Sequence, residues 1–434
     1  MVLTGLADPV RARAIGGGAN VRLELMNQTA SATVLLESPQ LTGVSVFAEM
    51  IMRGEDLAEI FADRVARGTG EPADAGAMMD LSTILLLTGQ MDLGLEIQAQ
   101  ALAQGRTFKR IHGDGRGLTV LALVTTGGMM ANTPLDFMLA GSNTTVHYVY
   151  STLGRPFPEV VPGHDVAFLG IGQSHEADPL LDLISDGMGQ WPRPLVNGFP
   201  QRISALTRDG VAALCSDLPD VYAPAVMKVS GQALKDMLDG GVEALVALPG
   251  GGFPIIIRPL GSHAGQELVR IADPEALGSY LAGHEDAEFY VSQFVDYSNA
   301  DGLFRKMRIA VIDGVPFLSH LAISENWMVH YLNADMHLHE SRRQEEARAM
   351  AEFETDLGPR LAPAISQLTA AFGLDYYAID CAILPDGRLL VFEADVAMIV
   401  HAMDDTVLFP YKPAAMQKIF KAFQGMLKAR AGHS

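Results

Sequence analysis

Cysteine is scarce: the 434-residue chain has two, Cys215 and Cys381. Two scattered cysteines cannot staple a secreted domain, so a reducing cytoplasm is the expected compartment. Long apolar runs are missing as well. No stretch approaches the roughly 18 residues that span a bilayer, and the opening MVLTGLADPVRARAIGGG lacks the basic-then-apolar order of a secretory signal. Basic residues are in deficit, 31 Lys and Arg against 51 Asp and Glu, for a formal charge of -20. That field repels polyanions, which argues against a partner that is nucleic acid or an anionic membrane. Low-complexity tracts are absent, and 49% of residues are hydrophobic against 19% charged. The composition therefore excludes a disordered or fibrous chain and suits two or three domains with a large core.

What is present divides into stretches of different periodicity. Residues 1–40 hold a glycine joint at Gly16–Gly18 and one or two short strands between Val21 and Leu36. Residues 41–112 read as helical. One helix through Met79–Leu87 stops at Gly89, and a second runs through Leu93, Ile97, Ala101 and Leu102. This pair is similar to a single tetratricopeptide-type hairpin, serving either as a cap or as a partner surface. Residues 113–205 read as a small parallel α/β domain. LTVLALV at 118–124 is a continuous apolar run of strand length, and further strands at 146–150 and 165–169 alternate with helices. Thr125–Met130 follow the first strand, at the edge where such sheets bind ligands; a plain β–α turn is the equal alternative. Residues 206–434 read as α+β, with strands near 225–229, 253–258, 288–295, 305–312, 315–323, 376–384 and 388–393. Helices are expected at 208–216, 232–239, 345–372 and 413–429.

The sharpest motif is YYAIDCAILPDGRLLVFEAD at 376–395, two apolar runs around Asp386-Gly387. A two-residue loop there sets Asp380 directly opposite Glu393, with Asp395 on the same face. Acids so close repel unless protonated or bridged by cations, and hard oxygen ligands suit Mg²⁺. The competing reading is a solvated hairpin edge, and a one-residue slip would part the two acids. A second motif is the strand Phe253–Arg258 running into Gly261-Ser262-His263-Ala264-Gly265. Glycines let backbone N–H groups turn toward an anion and a fixed guanidinium adds to the pull, although such a loop also serves as a plain connection. Lys228 ends another strand, and Lys306 and Arg308 share one face of the strand 305–312. His320 either orients a substrate, acts as a base, or is a satisfied structural histidine.

In this order the features resemble the ATP-grasp superfamily, in the style of glutathione synthetase, D-alanine–D-alanine ligase and ribosomal-protein glutamate ligases. The resemblance covers about 118–434. It implies an α/β domain followed by an ATP-grasp domain at 206–434, with a small lobe about 206–296 and a large lobe about 297–434. It implies that Lys228 and Arg258 hold phosphates, and that Gly261, Ser262, His263 and Gly265 close over the triphosphate. Gln293, Phe294 and Val295 would meet adenine, with Asp296 or Asp301 near the ribose. Asp380, Glu393 and Asp395 would ligate two Mg²⁺ ions, and Lys306, Arg308 and His320 would face the reaction. The sequence departs from the family at three positions: Arg258 replaces a lysine, Asp395 an asparagine and Ala378 an arginine, which leaves Arg308 as the candidate oxyanion support. The implied activity is ATP-dependent ligation of a small-molecule or peptide carboxylate to an amine or thiol, giving ADP and phosphate. A nucleotide-binding regulatory module without turnover and a kinase releasing a phosphorylated small molecule are the alternatives. A homodimer is the working expectation for assembly.

Overall fold

The computed structural model describes residues 38–261, 267–284, 287–330 and 333–433. The expected joint and strands before residue 37, and Ser262, His263 and Gly265 of the glycine loop, lie outside the described residues.

Four helices come first: α1 (Val44–Met52), α2 (Ala58–Gly68), α3 (Ala75–Leu87) and α4 (Met91–Gln104). Helices α3 and α4 form the hairpin expected from the break at Gly89, which takes a left-handed φ of 82°. Asp74 caps α3 by accepting from the Ala77 N–H. The helical stretch ends earlier than its periodicity suggests. Residues Thr107–Ile111 form strand β1, which joins the edge of the following sheet antiparallel to β3.

That sheet contains β2 (Thr119–Val124), β3 (Thr145–Tyr150), β4 (Val166–Leu169) and β5 (Leu195–Val196), in the order β1-β3-β2-β4-β5. Strands β2 to β5 are parallel, as the uninterrupted apolar run of β2 requires of a strand covered on both faces. Helix α5 (Asp178–Met188) follows β4, and α6 (Arg208–Cys215), capped by Thr207, leads into the rest of the chain. Strand β6 (Val221–Tyr222) precedes β7 (Val226–Ser230) and α7 (Gly231–Asp239).

An antiparallel sheet in the order β7-β10-β8-β9 is built from β8 (Ile255–Pro259), β9 (Val269–Ile271) and β10 (Glu288–Gln293), with α8 (Pro274–Leu281) between β9 and β10. Ile255, Ile257, Phe289 and Val291 bury one face against Leu234 of α7 and Leu277 and Leu281 of α8. The opposite face is left for polar side chains.

The third sheet has the order β12-β11-β13-β14-β6, with β11 (Phe304–Ile312), β12 (Val315–Ser324), β13 (Tyr376–Ile383) and β14 (Leu389–Asp395) antiparallel and β6 parallel at the edge. Helices α9 (Glu340–Ala351) and α10 (Leu357–Phe372) cover one face. The sequence pattern predicts a single helix over 345–372. The chain instead breaks at 352–356, where Phe353 turns into the core and its carbonyl accepts from the Gly358 N–H at 2.6 Å. Pro359 then falls in the first turn of α10, where a missing N–H costs nothing. Helix α11 (Lys412–Arg430) packs Met416, Phe420 and Phe423 on the other face, in one core with Val120 and Phe168 of the parallel sheet. Asn197, fully buried, ties these parts together: it donates to the Tyr376 carbonyl at 2.8 Å and accepts from the Asp375 and Tyr376 N–H groups. Among the described residues no helix is long and apolar enough to cross a membrane.

Candidate functional site

The β13–β14 hairpin turns through three residues rather than two. Leu384 donates to the Arg388 carbonyl at 2.9 Å, Gly387 donates back to Leu384, and Gly387 takes a φ of 92°. This is the loop in which a glycine in the left-handed region closes the turn. By itself it would shift every pair by one residue. A bulge where Cys381 pairs with Val391, leaving Phe392 as the extra residue, shifts the register back, and Asp380 faces Glu393. The expected pairing therefore holds through two compensating irregularities.

Register extends that pair into a row. His320 of β12 pairs with Arg308 of β11, Arg308 with Asp380, and Asp380 with Glu393. Side chains opposite each other on one face lie about 4.5–5.5 Å apart at Cβ, so the row forms one electrostatic unit. Asp380 is 2% exposed. Its Oδ1 accepts from Arg308 Nε at 2.7 Å, and its Oδ2 accepts from Arg308 Nη2 at 3.1 Å and lies 2.7 Å from Lys306 Nζ. Desolvation pushes this carboxyl up, but the charges of Arg308 and Lys306 outweigh it and hold it far below the usual carboxylate range. Arg308 is fixed again by the Ile399 carbonyl at 3.1 Å. His320 beside it is held neutral, by burial first and then by Arg308 and Lys412.

Glu393 is bound by a residue that the sequence did not single out. Arg208, the first residue of α6, donates to its Oε2 at 2.8 Å. Desolvation raises the Glu393 carboxyl, and Arg208 with the row's cations brings it below its ordinary value. Asp395, two residues along the same face, has less help: burial pushes it up to about 6, against hydrogen bonds from the backbone of Ala397 and Gln173. Nothing in a single arginine ahead of a short helix marks Arg208 in sequence. Only the packing of α6 on β7 and β14 brings it to the hairpin.

The small antiparallel sheet presents a second row. Tyr290 of β10 pairs with Lys228 on one side and Arg258 on the other. Arg258 is 7% exposed, and desolvation, then the nearby Arg208 charge, pull it down to about 10, with Glu393 opposing. Burial, then the charge of Asp209, the neighbour of Arg208, push the Tyr290 phenol up. Lys228 is more open, 3.8 Å from Glu288. The N-terminal turn of α6 thus stands between the two rows, with Arg208 toward the acids and Arg258 beyond it. Gly261, exposed and at a φ of 76°, begins the glycine loop at the end of β8.

The segment after β10 links the two sheets. Gln293 accepts from the Tyr222 hydroxyl at 3.2 Å, and Gly250, at a φ of 77°, lacks the Cβ that would lie 2.5 Å from its side chain. The Phe294 N–H donates to Pro254 at 3.1 Å. Its ring meets the edge of Trp327 at 5.6 Å and carries the Arg270 guanidinium at 4.0 Å. Val295 packs on the large core, and Asp296 is exposed, turned back onto the Ser298 N–H. Asp301 is not brought to this cleft. It pairs with Arg305, whose other partner is Glu345, on the sheet face opposite Lys306 and Arg308. A hollow of about 590 Å³ lies on that same far face, around Met307, Leu321 and Ile383; it is separate from the site.

No protein-family model matches the sequence, and no curated protein matches it. Among solved structures the chain is similar to the RimK-domain ATP-grasp protein of Sphaerobacter thermophilus, at 14% identity and a TM-score of 0.40, over 71% of this chain and 99% of that one. It is also similar to D-alanine–D-alanine ligase of Bacillus anthracis complexed with ATP, at 14% identity and a TM-score of 0.42, over 73% and 100% of the two chains. A third likeness is to the VanG D-Ala:D-Ser ligase of Enterococcus faecalis, at 11% identity and 0.42, over 72% and 100%. At identities and TM-scores this low they add nothing to the case made by the residues.

The predicted magnesium set needs correction on the same geometry. Both Asp380 oxygens are engaged by fixed cations, and among the described residues no three acidic, histidine or cysteine groups converge as metal ligands. The three carboxylates do not fit a pair of ions. Of the three, Glu393 and Asp395 are the carboxylates not committed to Lys306 and Arg308, and Mg²⁺ commonly takes one or two carboxylates and completes its shell with phosphate and water.

Proposed function

We propose that the chain is an ATP-grasp enzyme that ligates a carboxylate to an amine or thiol. The observation that carries this reading is the pair of rows, Lys228–Tyr290–Arg258 and His320–Arg308–Asp380–Glu393, with Arg208 donating to Glu393 at the end of the second. A cleft with cations on one wall and acid-held cations on the other suits a polyphosphate whose terminal group is to be moved. Lys228, Arg258 and Arg208 would take the phosphate oxygens. Gln293 and Phe294 would face the base, Trp327 walling its edge, while Val295 packs behind them on the core. A magnesium ion held by Glu393 and Asp395 would neutralise phosphoryl oxygens as charge shifts toward ADP.

Lys306 and Arg308 are the groups assigned to the reacting end. Asp380 keeps both in place and removes the rotamer freedom of two long side chains before substrate arrives. The γ-phosphoryl group passes from ADP's terminal oxygen to a substrate carboxylate oxygen. The amine or thiol then bonds to the carbonyl carbon, phosphate leaves with the C–O electron pair, and the nucleophile gives up its proton. Arg308 would be the donor to the oxyanion of that second step. No enzyme nucleophile is required. His320, half-buried and held neutral, would flank Arg308 rather than serve as a base.

One feature favours a second reading, a nucleotide-binding module without turnover: Asp380, the first expected metal ligand, is committed to Lys306 and Arg308. Incubation with Mg-ATP and pooled carboxylates, amines and thiols separates the two. The ligase releases ADP and phosphate only when both co-substrates are present, and Arg308→Ala abolishes that release while nucleotide still binds. Tight binding with no ADP in any pool selects the module. A stable phosphorylated product without condensation selects a kinase.

A further inference from the structure

At the carboxyl end of β2, away from both rows, a half-open cavity of about 120 Å³ lies between the helical region and the parallel sheet. Val124, Met79, Thr83, Leu86, Tyr148 and Tyr150 are among its walls. The loop at its rim is held from both sides. Gln98 accepts from the Gly127 N–H at 2.9 Å and donates to the Gly127 carbonyl at 3.2 Å. Asn132 accepts from the Thr125 N–H and donates to its carbonyl, both at 2.8 Å. Such a rim is formed before any ligand arrives, which lowers the ordering cost of binding.

Charge chemistry narrows the occupant. Two acids border the space, and both are already neutralised: Asp80 by Arg64 at 2.9 Å and by Thr42, Asp136 by Arg110 at 2.9 Å and by Ser45. A charged ligand would be desolvated there without a counter-ion. Not every polar group of the lining is well served. The Tyr150 hydroxyl donates to the Met79 thioether at 3.6 Å, a weak acceptor. Burial pushes this phenol up to about 12, so it stays a donor throughout the physiological range.

We propose that the cavity is a binding site for a compact, uncharged ligand: one ring, or a branched chain of like bulk, carrying a hydrogen-bond acceptor for Tyr150. Apolar cavities of about 150 Å³ take up benzene, so the space suits a group of that size. The cavity also touches the chain beside the cleft. Thr133 lines it and donates to the Val396 carbonyl at 2.9 Å, one residue past Asp395.

The test uses the full chain without nucleotide, so its outcome is independent of the ligase reading. Acetophenone, toluene and benzoate are titrated by saturation-transfer NMR, with thermal melting to confirm that each variant is folded. Acetophenone and toluene are expected to bind, acetophenone about five-fold more tightly for its one hydrogen bond, and benzoate is not. Tyr150→Phe should erase the acetophenone preference while toluene still binds, and Thr83→Phe should fill the space and abolish both. Failure of both ring probes to bind at millimolar concentration overturns the proposal. So do binding that survives Thr83→Phe, benzoate binding as well as acetophenone, and an acetophenone preference that is absent in the wild-type chain or persists in Tyr150→Phe.

Discussion

Asp380→Asn removes one negative charge and strands two cations. Lys306 and Arg308 share that carboxylate through contacts of 2.7, 2.7 and 3.1 Å, and their side chains are 18% and 17% exposed. Breaking a fully buried pair by removing one partner costs about 3–5 kcal/mol. Residual solvent contact of both cations puts the expectation at the lower end, about 3 kcal/mol, or a fall of about 1 M in the urea midpoint of the large lobe. Asp386→Asn is the control: its pair with Arg388 is about half exposed, so its loss should leave the urea midpoint nearly unchanged. The pH dependence has a definite sign. The Asp380 carboxyl is held below its unfolded value, so its contribution is complete above about pH 4 and declines as pH falls further. The gap between wild type and Asp380→Asn should therefore be constant at neutral pH and narrow below about pH 4 by about 1.4 kcal/mol per unit. A variant within about 1 kcal/mol of wild type at pH 7, or a gap that widens in acid, would refute the pairing as the source of stability.

Burial, then Lys412 and Arg308, push the His401 imidazole down to about 4, so its NMR shifts should stay flat from about pH 8 to 5.5; stability should decline as pH falls from about 6.5 toward 4, where the unfolded chain binds the extra proton. Asn197→Ala deletes three hydrogen bonds at a fully buried site with a φ of 54°, and should cost about 3–5 kcal/mol in urea unfolding. Gly387→Ala places a Cβ at a φ of 92° in open space, so it should cost only about 1–2 kcal/mol and leave the Asp380–Glu393 pairing, read by cross-strand NOEs, in place.

Strands and their faces were legible because their signals are local. The uninterrupted run of β2, the Asp386-Gly387 turn and the alternation through 305–312 each reflect a period-2 or fully buried strand. Hence Lys228, Arg258, Arg308, Asp380 and Glu393 could be named before their rows were known. What failed was anything decided at a distance. The three-residue loop and the bulge at Phe392 cancel, and only the pairing of whole strands shows it. Arg208 reaches Glu393 across 185 positions of sequence. The resemblance implied Asp301 near the ribose, yet the parity of β11 carries its partner Arg305 to the other face. The commitment of Asp380 to two cations was unreadable for the same reason: acids and bases were visible, but their partners were not.

Calorimetric titration with a non-hydrolysable Mg-ATP analogue probes the cleft itself. One site per chain is expected, weakened at least about ten-fold by Arg258→Ala, which removes a buried cation proposed to meet the phosphates. Absence of heat in the wild-type chain, or an affinity that Arg258→Ala leaves unchanged, would contradict a nucleotide site between the two rows.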